Sequence, residues 1–291
     1  MLHRRTIRIA VLGVTGVALA AGVAAFAAAA PASTTAAPAA YTGPGPKPTV
    51  VLVNGAWSDA ASWSGVVKQL QAAGYPVVAP PTQLRSLSGD SAYLDSYLKT
   101  IQGPVVLVGQ SYGGSVITDA ATSDPNVKAL VYISAFAPDA GETASGLTAL
   151  FPGTHITTDP NPADIPTALS PVPYTLADGT TGVDLYAKPS QYQDVFLSGR
   201  LSSAAAAELA ATQSPVAPQA LGEPSGTPGW KTIQSWFLIS DDDHLIPPAA
   251  ERFMAARAHG HTVEADTPHA AQVTDPGIVT NLIEQAATAT R

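Results

Sequence analysis

The 291-residue chain predicts a layered α/β domain, with a mostly parallel six-stranded sheet, helices on both faces and an inserted helical cap. Three observations predict this class. Short apolar runs alternate with segments of helical spacing, the order that builds parallel sheets from strand–helix–strand units. The runs are continuously apolar rather than alternating with polar residues, as strands covered on both faces are. The alternation stops over about 139–229, a stretch rich in Pro, Gly, Thr, Ala and Ser, and then resumes. An insertion there lies over the carboxyl ends of the strands, where open α/β sheets bind ligands.

Each element follows in order. Residues 1–40 begin with Arg4, Arg5 and Arg8, run apolar, and end in Ala, Pro, Ser and Thr. That is the layout of a secretory signal and a disordered spacer, and the Arg4-Arg5 pair suits twin-arginine export. The apolar run is almost long enough for the alternative, an uncleaved membrane anchor. The folded domain is expected over 41–291. "TVVLVNG" (49–55) reads as the first strand and "SWSGVVKQLQAAG" (62–74) as a helix closed by glycine. "YPVVAP" (75–80), "PVVLVG" (104–109) and "VKALVYIS" (127–134) read as strands, with helices at 89–103 and about 113–123. In the cap, "PSQYQDVFLSGR" and "SSAAAAELAATQ" read as helices. Beyond it come a strand at 233–240, a helix at 247–260, a strand at 261–265 and a last helix at 276–289.

Composition excludes several classes. Residues 1–40 carry three arginines and no acid, so their removal takes the formal charge from −8 to −11. A surface that acidic repels phosphate backbones, and no nucleic-acid partner is expected. The chain has no cysteine, so an exported form must be held by its core rather than by disulfides. No metal or nucleotide motif stands in the sequence, and no cofactor is expected. After signal cleavage no stable membrane association is expected, and a small molecule is the expected partner.

One turn concentrates the chemistry. In "VVLVGQSYGG" (105–114), Ser111 lies between a buried strand and a helix, with Gly109 and Gly113 on either side. A serine on such a turn projects from the sheet edge in a strained conformation, and the N–H of Tyr112 sits at the helix N-terminus. A serine hydroxyl needs a base. Of six histidines, His3 goes with the leader, His155 lies in the cap, His244 in an acidic loop, and His259 and His261 flank a helix end. His269, in "EADTPHAAQV", leaves the carboxyl end of the last strand beside Ser111 and is the expected base. "SDDDHLIPP" emerges on the same edge, with Asp243 the expected acid, and Asp241, Asp242 and Asp139 as alternatives. Gly55 permits a tight bend after the first strand and turns the N–H of Ala56 toward the site as a second oxyanion donor. Trp57, Tyr192 and Phe196 are candidate walls of a substrate pocket, as are Tyr174 and Tyr186, although core packing accounts for them equally.

The motifs "VVLVNGAW", "VVLVGQSYGG", "ALVYISAFAPDAGE", "SWFLISDDDHLIPPAAERFMAARA" and "PHA" resemble those of the α/β-hydrolase superfamily over roughly 48–290. The chain is similar to small bacterial esterases related to pyrethroid-hydrolysing carboxylesterases, and more distantly to plant methylesterases and hydroxynitrile lyases. The resemblance implies an α/β-hydrolase fold and an exported serine esterase, with Ser111 as nucleophile, Asp243 as acid, His269 as base, and Ala56 and Tyr112 giving the oxyanion amides. Asn54 and Gln110 stand where such relatives usually carry histidine, which bears on substrate preference and pH behaviour. Lyase or cofactor-free oxygenase chemistry is an alternative on the same scaffold, as is ligand binding without catalysis. A cyanohydrin-cleaving lyase is expected to hold a lysine at the site, for which Lys188 and Lys231 are the candidates.

Overall fold

The computed structural model describes residues 47–157 and 165–290. The expected leader, residues 1–40, lies outside them. In chain order the elements begin with β1 (Thr49–Val53), α1 (Ser64–Ala72), β2 (Val77–Val78), α2 (Leu87–Leu98), β3 (Val105–Ser111), α3 (Tyr112–Ala120) and β4 (Val127–Ala135). The inserted segment holds α4 (Ala144–Ala149), β5 (Leu169–Thr175), β6 (Thr181–Ala187), α5 (Pro189–Leu197), α6 (Ser203–Thr212) and α7 (Pro218–Gly222). The chain closes with β7 (Ser235–Ser240), α8 (Pro248–Arg257), β8 (His261–Ala265), α9 (Ala271–Thr274) and α10 (Pro276–Ala289).

Six strands form one sheet in the order β2-β1-β3-β4-β7-β8, and every pairing in it is parallel. The period of two along each strand divides the core. Val51, Val53, Leu107, Leu130, Tyr132 and Phe237 face one side, while Val50, Leu52, Val106, Val131, Trp236 and Leu238 face the other. Helices α2, α3 and α8 pack on the first face, and α1 and α10 on the second. The central strands β1, β3, β4 and β7 are buried on both faces, which is why they carry no regular polar alternation, whereas the edge strand β8 is partly exposed and carries His261, Thr262 and Glu264. The helix starts have local causes. Ser86 caps α2 by accepting the Gly89 N–H, Ser202 caps α6 by accepting that of Ala205, and α5, α7, α8 and α10 open on proline.

Strand order fixes where the site must be. The chain runs from β1 outward to β2 and then returns to β3 on the other side of β1. The switch point therefore lies between the carboxyl ends of β1 and β3, which carry Gly55 and Ser111.

The cap departs from its helical expectation. Besides its helices it contains an antiparallel hairpin, β5–β6, with Leu169 paired to Ala187 and Thr175 to Thr181. Pro171 and Pro173 speak against a strand in a large sheet, but a two-stranded sheet consists only of edges, where proline is tolerated. The turn is a three-residue loop in which the Gly179 N–H donates to Leu176 O and Gly179 adopts φ +84°. Asp178-Gly179 is the local signal for that turn.

Candidate active site

Ser111 ends β3 at φ 54° and ψ −126°, a conformation that costs a non-glycine residue about 1–3 kcal/mol. The crossing that imposes it is tight. A Cβ on Gly109 would lie 2.5 Å from the Gly113 carbonyl oxygen, and one on Gly113 would lie 2.4 Å from the Val53 carbonyl oxygen at the end of β1, so the turn closes only where both residues lack side chains. The loop after β1 presses on the same turn, since a Cβ on Gly55 would lie 2.6 Å from Ser111 Cβ. Ala56, the next residue, thus stands beside the serine, and Ala56, Ser111 and Tyr112 border one cavity. Among the described residues neither the Ala56 nor the Tyr112 N–H donates to a protein acceptor.

The three expected polar residues meet. His269 Nε2 lies 2.9 Å from Ser111 Oγ, and His269 Nδ1 lies 2.6 Å from Asp243 Oδ2. All three are buried. The other oxygen of Asp243 accepts the N–H groups of Leu245 at 2.6 Å and Ile246 at 2.8 Å, so the carboxylate is held on both sides. With Asp243 accepting, the imidazole carries its proton on Nδ1 and turns the Nε2 lone pair to the hydroxyl.

The alternative acids lie elsewhere. Asp241 pairs with Arg252, and Asp242 with Arg200. Asp139 pairs with Lys231, whose hydrogen bond holds its carboxyl below the usual aspartate range. Lys188 donates to the Thr167 carbonyl, so neither candidate lysine borders the cavity.

The cavity beside Ser111 has a volume of about 920 Å³. Phe136 lines it, and the cap supplies Phe151, Ile156, Val183, Leu185 and Leu221. No charged side chain borders it among the described residues. Trp57 borders it too, at φ 56°, with its indole N–H donating to Leu185 O of the hairpin. Tyr192 and Phe196 do not. They line a separate void of about 20 Å³ behind the histidine, too small for a substrate. Their work is support: Tyr192 Oη donates to the Trp57 carbonyl at 2.9 Å, the Ala270 N–H donates to the Phe196 carbonyl, and the Phe196 ring packs on Trp57 and His269. Tyr174 stacks on Arg85 at the hairpin surface, and neither it nor Tyr186 borders the cavity.

Sequence reasoning missed other supports. Gln110 Nε2 donates to the His269 carbonyl, and Asn54 Nδ2 donates to the carbonyls of Gly55 and Ser58. These amides tie the histidine loop and the Ala56 loop to the strand ends, and their place in the motifs was the only signal. Asp90 accepts the Tyr112 hydroxyl and the Gln83 and Leu84 N–H groups. Burial raises its carboxyl pKa, against those hydrogen bonds. Glu251 on α8 is buried, accepts the Ser240 N–H, and is raised well above the glutamate range by burial and by the nearby charge of Asp243.

A model of the "Alpha/beta hydrolase family" matches residues 50–281. The carbendazim hydrolyzing esterase of Nocardioides sp. (strain SG-4G) is 36% identical over 110 residues, which cover 33% of this chain and 46% of that enzyme. The chain thus spans just under half the length of the curated relative it matches. Among solved structures, a pyrethroid hydrolase from Sphingobium faniae JZ-2 superposes with a TM-score of 0.63 at 22% identity, covering 83% of this chain and 98% of that one. A methylesterase from Arabidopsis superposes with a TM-score of 0.64 at 15% identity, covering 83% and 99%. At these identities the structural likeness is one of fold.

Proposed function

The chain belongs to the alpha/beta hydrolase family, and from that premise we propose that it cleaves carboxylic esters of small molecules through an acyl-enzyme on Ser111. One observation carries the proposal. Ser111 Oγ, on a strained turn at the mouth of a large apolar cavity, lies 2.9 Å from His269 Nε2, and the same ring is anchored to Asp243. In this reading Oγ attacks the ester carbonyl carbon as His269 Nε2 takes its proton. The Ala56 and Tyr112 N–H groups hold the oxyanion, at a helix N-terminus whose dipole favours negative charge. Collapse breaks the bond to the alkoxy oxygen, which leaves as alcohol with the proton from His269. Water then attacks the acyl-enzyme with His269 again as base, releasing the acid and restoring Ser111.

The absence of charged side chains among the described residues of the cavity wall supports neutral, largely apolar esters with room for substantial acyl and alcohol parts. The relative named as an esterase supports ester hydrolysis over other chemistry of the fold. The placement of Lys188 and Lys231 argues against a lysine-assisted lyase. We further propose that residues 1–40 direct export. The test of the catalytic reading is labelling with a fluorophosphonate, with the adduct mapped by mass. Label is expected on the peptide that carries Ser111 and not in Ser111→Ala, whose ester hydrolysis falls by about four orders of magnitude or more. A well-folded protein that takes no label would bring the ligand-binding reading forward.

A further inference from the structure

Away from Ser111, three side chains from distant segments converge where the cap meets the loop after β7. Asp194, on α5, places one carboxylate oxygen 2.8 Å from His155 Nδ1 and the other 3.0 Å from His244 Nδ1. The two imidazoles lie 4.0 Å apart between centroids, tilted by 34°. The backbone supports the cluster, since the His155 N–H donates to the His244 carbonyl. One atom from each of the three residues lies within 4.8 Å of the other two.

The decisive detail is on His244. Its Nδ1 faces Asp194 Oδ1 and the Asp194 carbonyl, while its Nε2 faces Asp242 Oδ1 at 3.4 Å. A neutral imidazole has one N–H and satisfies acceptors on one side only. A metal on Nδ1 leaves Nε2–H to donate to Asp242, and a ring N–H given to a carboxylate is the usual outer partner of a metal-bound histidine. Two imidazoles and one carboxylate, with an exposed side left for water, make a donor set suited to zinc-like ions. The neighbouring ligand atoms, at 2.8 and 3.0 Å, are slightly closer than the roughly 3.3 Å that bonds of about 2.0 Å impose around a tetrahedral ion. Side-chain exposures of 45% for His155 and 51% for Asp194 leave both free to open that distance.

We propose that His155, Asp194 and His244 bind one divalent transition-metal ion of the zinc class, with Asp242 as the carboxylate behind His244. The ion cross-links the cap to the loop that carries Asp243, one residue before His244, in a chain with no cysteine for a disulfide to do so. The site does not take part in the ester chemistry.

The test is a Co²⁺ titration of the tag-free full-length chain, followed by visible ligand-field absorption. One equivalent is expected to give an intense low-coordinate cobalt spectrum that Zn²⁺ displaces, and one equivalent of Zn²⁺ is expected to raise Tm. Ser111→Ala should bind as the wild type does. His155→Gln and Asp194→Asn, both at exposed positions, should lose the spectrum and the Tm shift while still folding by circular dichroism. Asp242→Asn should weaken binding about tenfold or more. Cobalt binding equal in the wild type and both ligand variants would place the ion elsewhere and overturn the proposal. So would the absence of any cobalt spectrum or zinc-dependent Tm shift in the wild-type chain.

Discussion

Three consecutive acids follow β7, and their surroundings decide which one serves His269. Asp241 and Asp242 are occupied by Arg252 and Arg200, whereas Asp243 is buried, with two backbone N–H groups on one oxygen and the imidazole on the other. Asp243→Asn is expected to lower kcat by about 10⁴ through loss of the required tautomer, while Asp241→Asn leaves kcat unchanged; steady-state rates on one ester decide. Glu251 makes a separate prediction. Burial and then Asp243 raise its pKa, so at pH values above the ordinary glutamate range the native state holds a proton that the unfolded chain has released. The unfolded state binds fewer protons there, and stability falls as pH rises, by at most about 1.4 kcal/mol per unit. Glu251→Gln removes that dependence. The difference in Tm, variant minus wild type, should grow from pH 5 to pH 8; a constant difference would contradict the assignment. The motif and its strand edge made Ser111 and His269 legible in the sequence. Glu251 and Asp90 were not, because each sits on a helix whose buried face is set by its neighbours.

At the level of elements, the cavity is made by what crosses over the sheet. The β5–β6 hairpin supplies Val183 and Leu185 to its wall, and Leu185 O receives the Trp57 indole N–H, tying the hairpin to the loop of Ala56. Val183→Trp places a large ring on the wall of the cavity that Ser111 borders. For p-nitrophenyl octanoate, kcat/KM should fall about tenfold or more, while the acetate ester is little affected. Equal losses on both esters would show instead that the substitution disturbs the Trp57 loop. The sheet strands were readable because continuous apolar runs have few other solutions. The hairpin was hidden by Pro171, Pro173 and a mixed burial pattern, which suits a two-stranded sheet exposed on one side.

For the whole molecule, the sheet order brings the ends of β1, β3, β7 and β8 to one edge, so Ala56, Ser111, Asp243 and His269 converge although 213 positions separate the first from the last. The proposed leader is tested at the same scale. Expressed in an exporting bacterium, the protein recovered from the medium should lack roughly its first 30–40 residues by intact mass; full-length chain retained in the cell membrane would favour an anchor. Outside the cap, the order of the strands and longer helices, and the sheet edge from which Ser111, Asp243 and His269 leave, were determined by the sequence alone. They rest on periodicity, glycine spacing and one motif, all of which act within a few residues. Only the tertiary structure decided which aspartate meets His269, which aromatics support the site rather than line it, and that His155, Asp194 and His244 share one corner. Those are contacts between segments tens to hundreds of residues apart, and burial and charge there depend on what the fold places opposite.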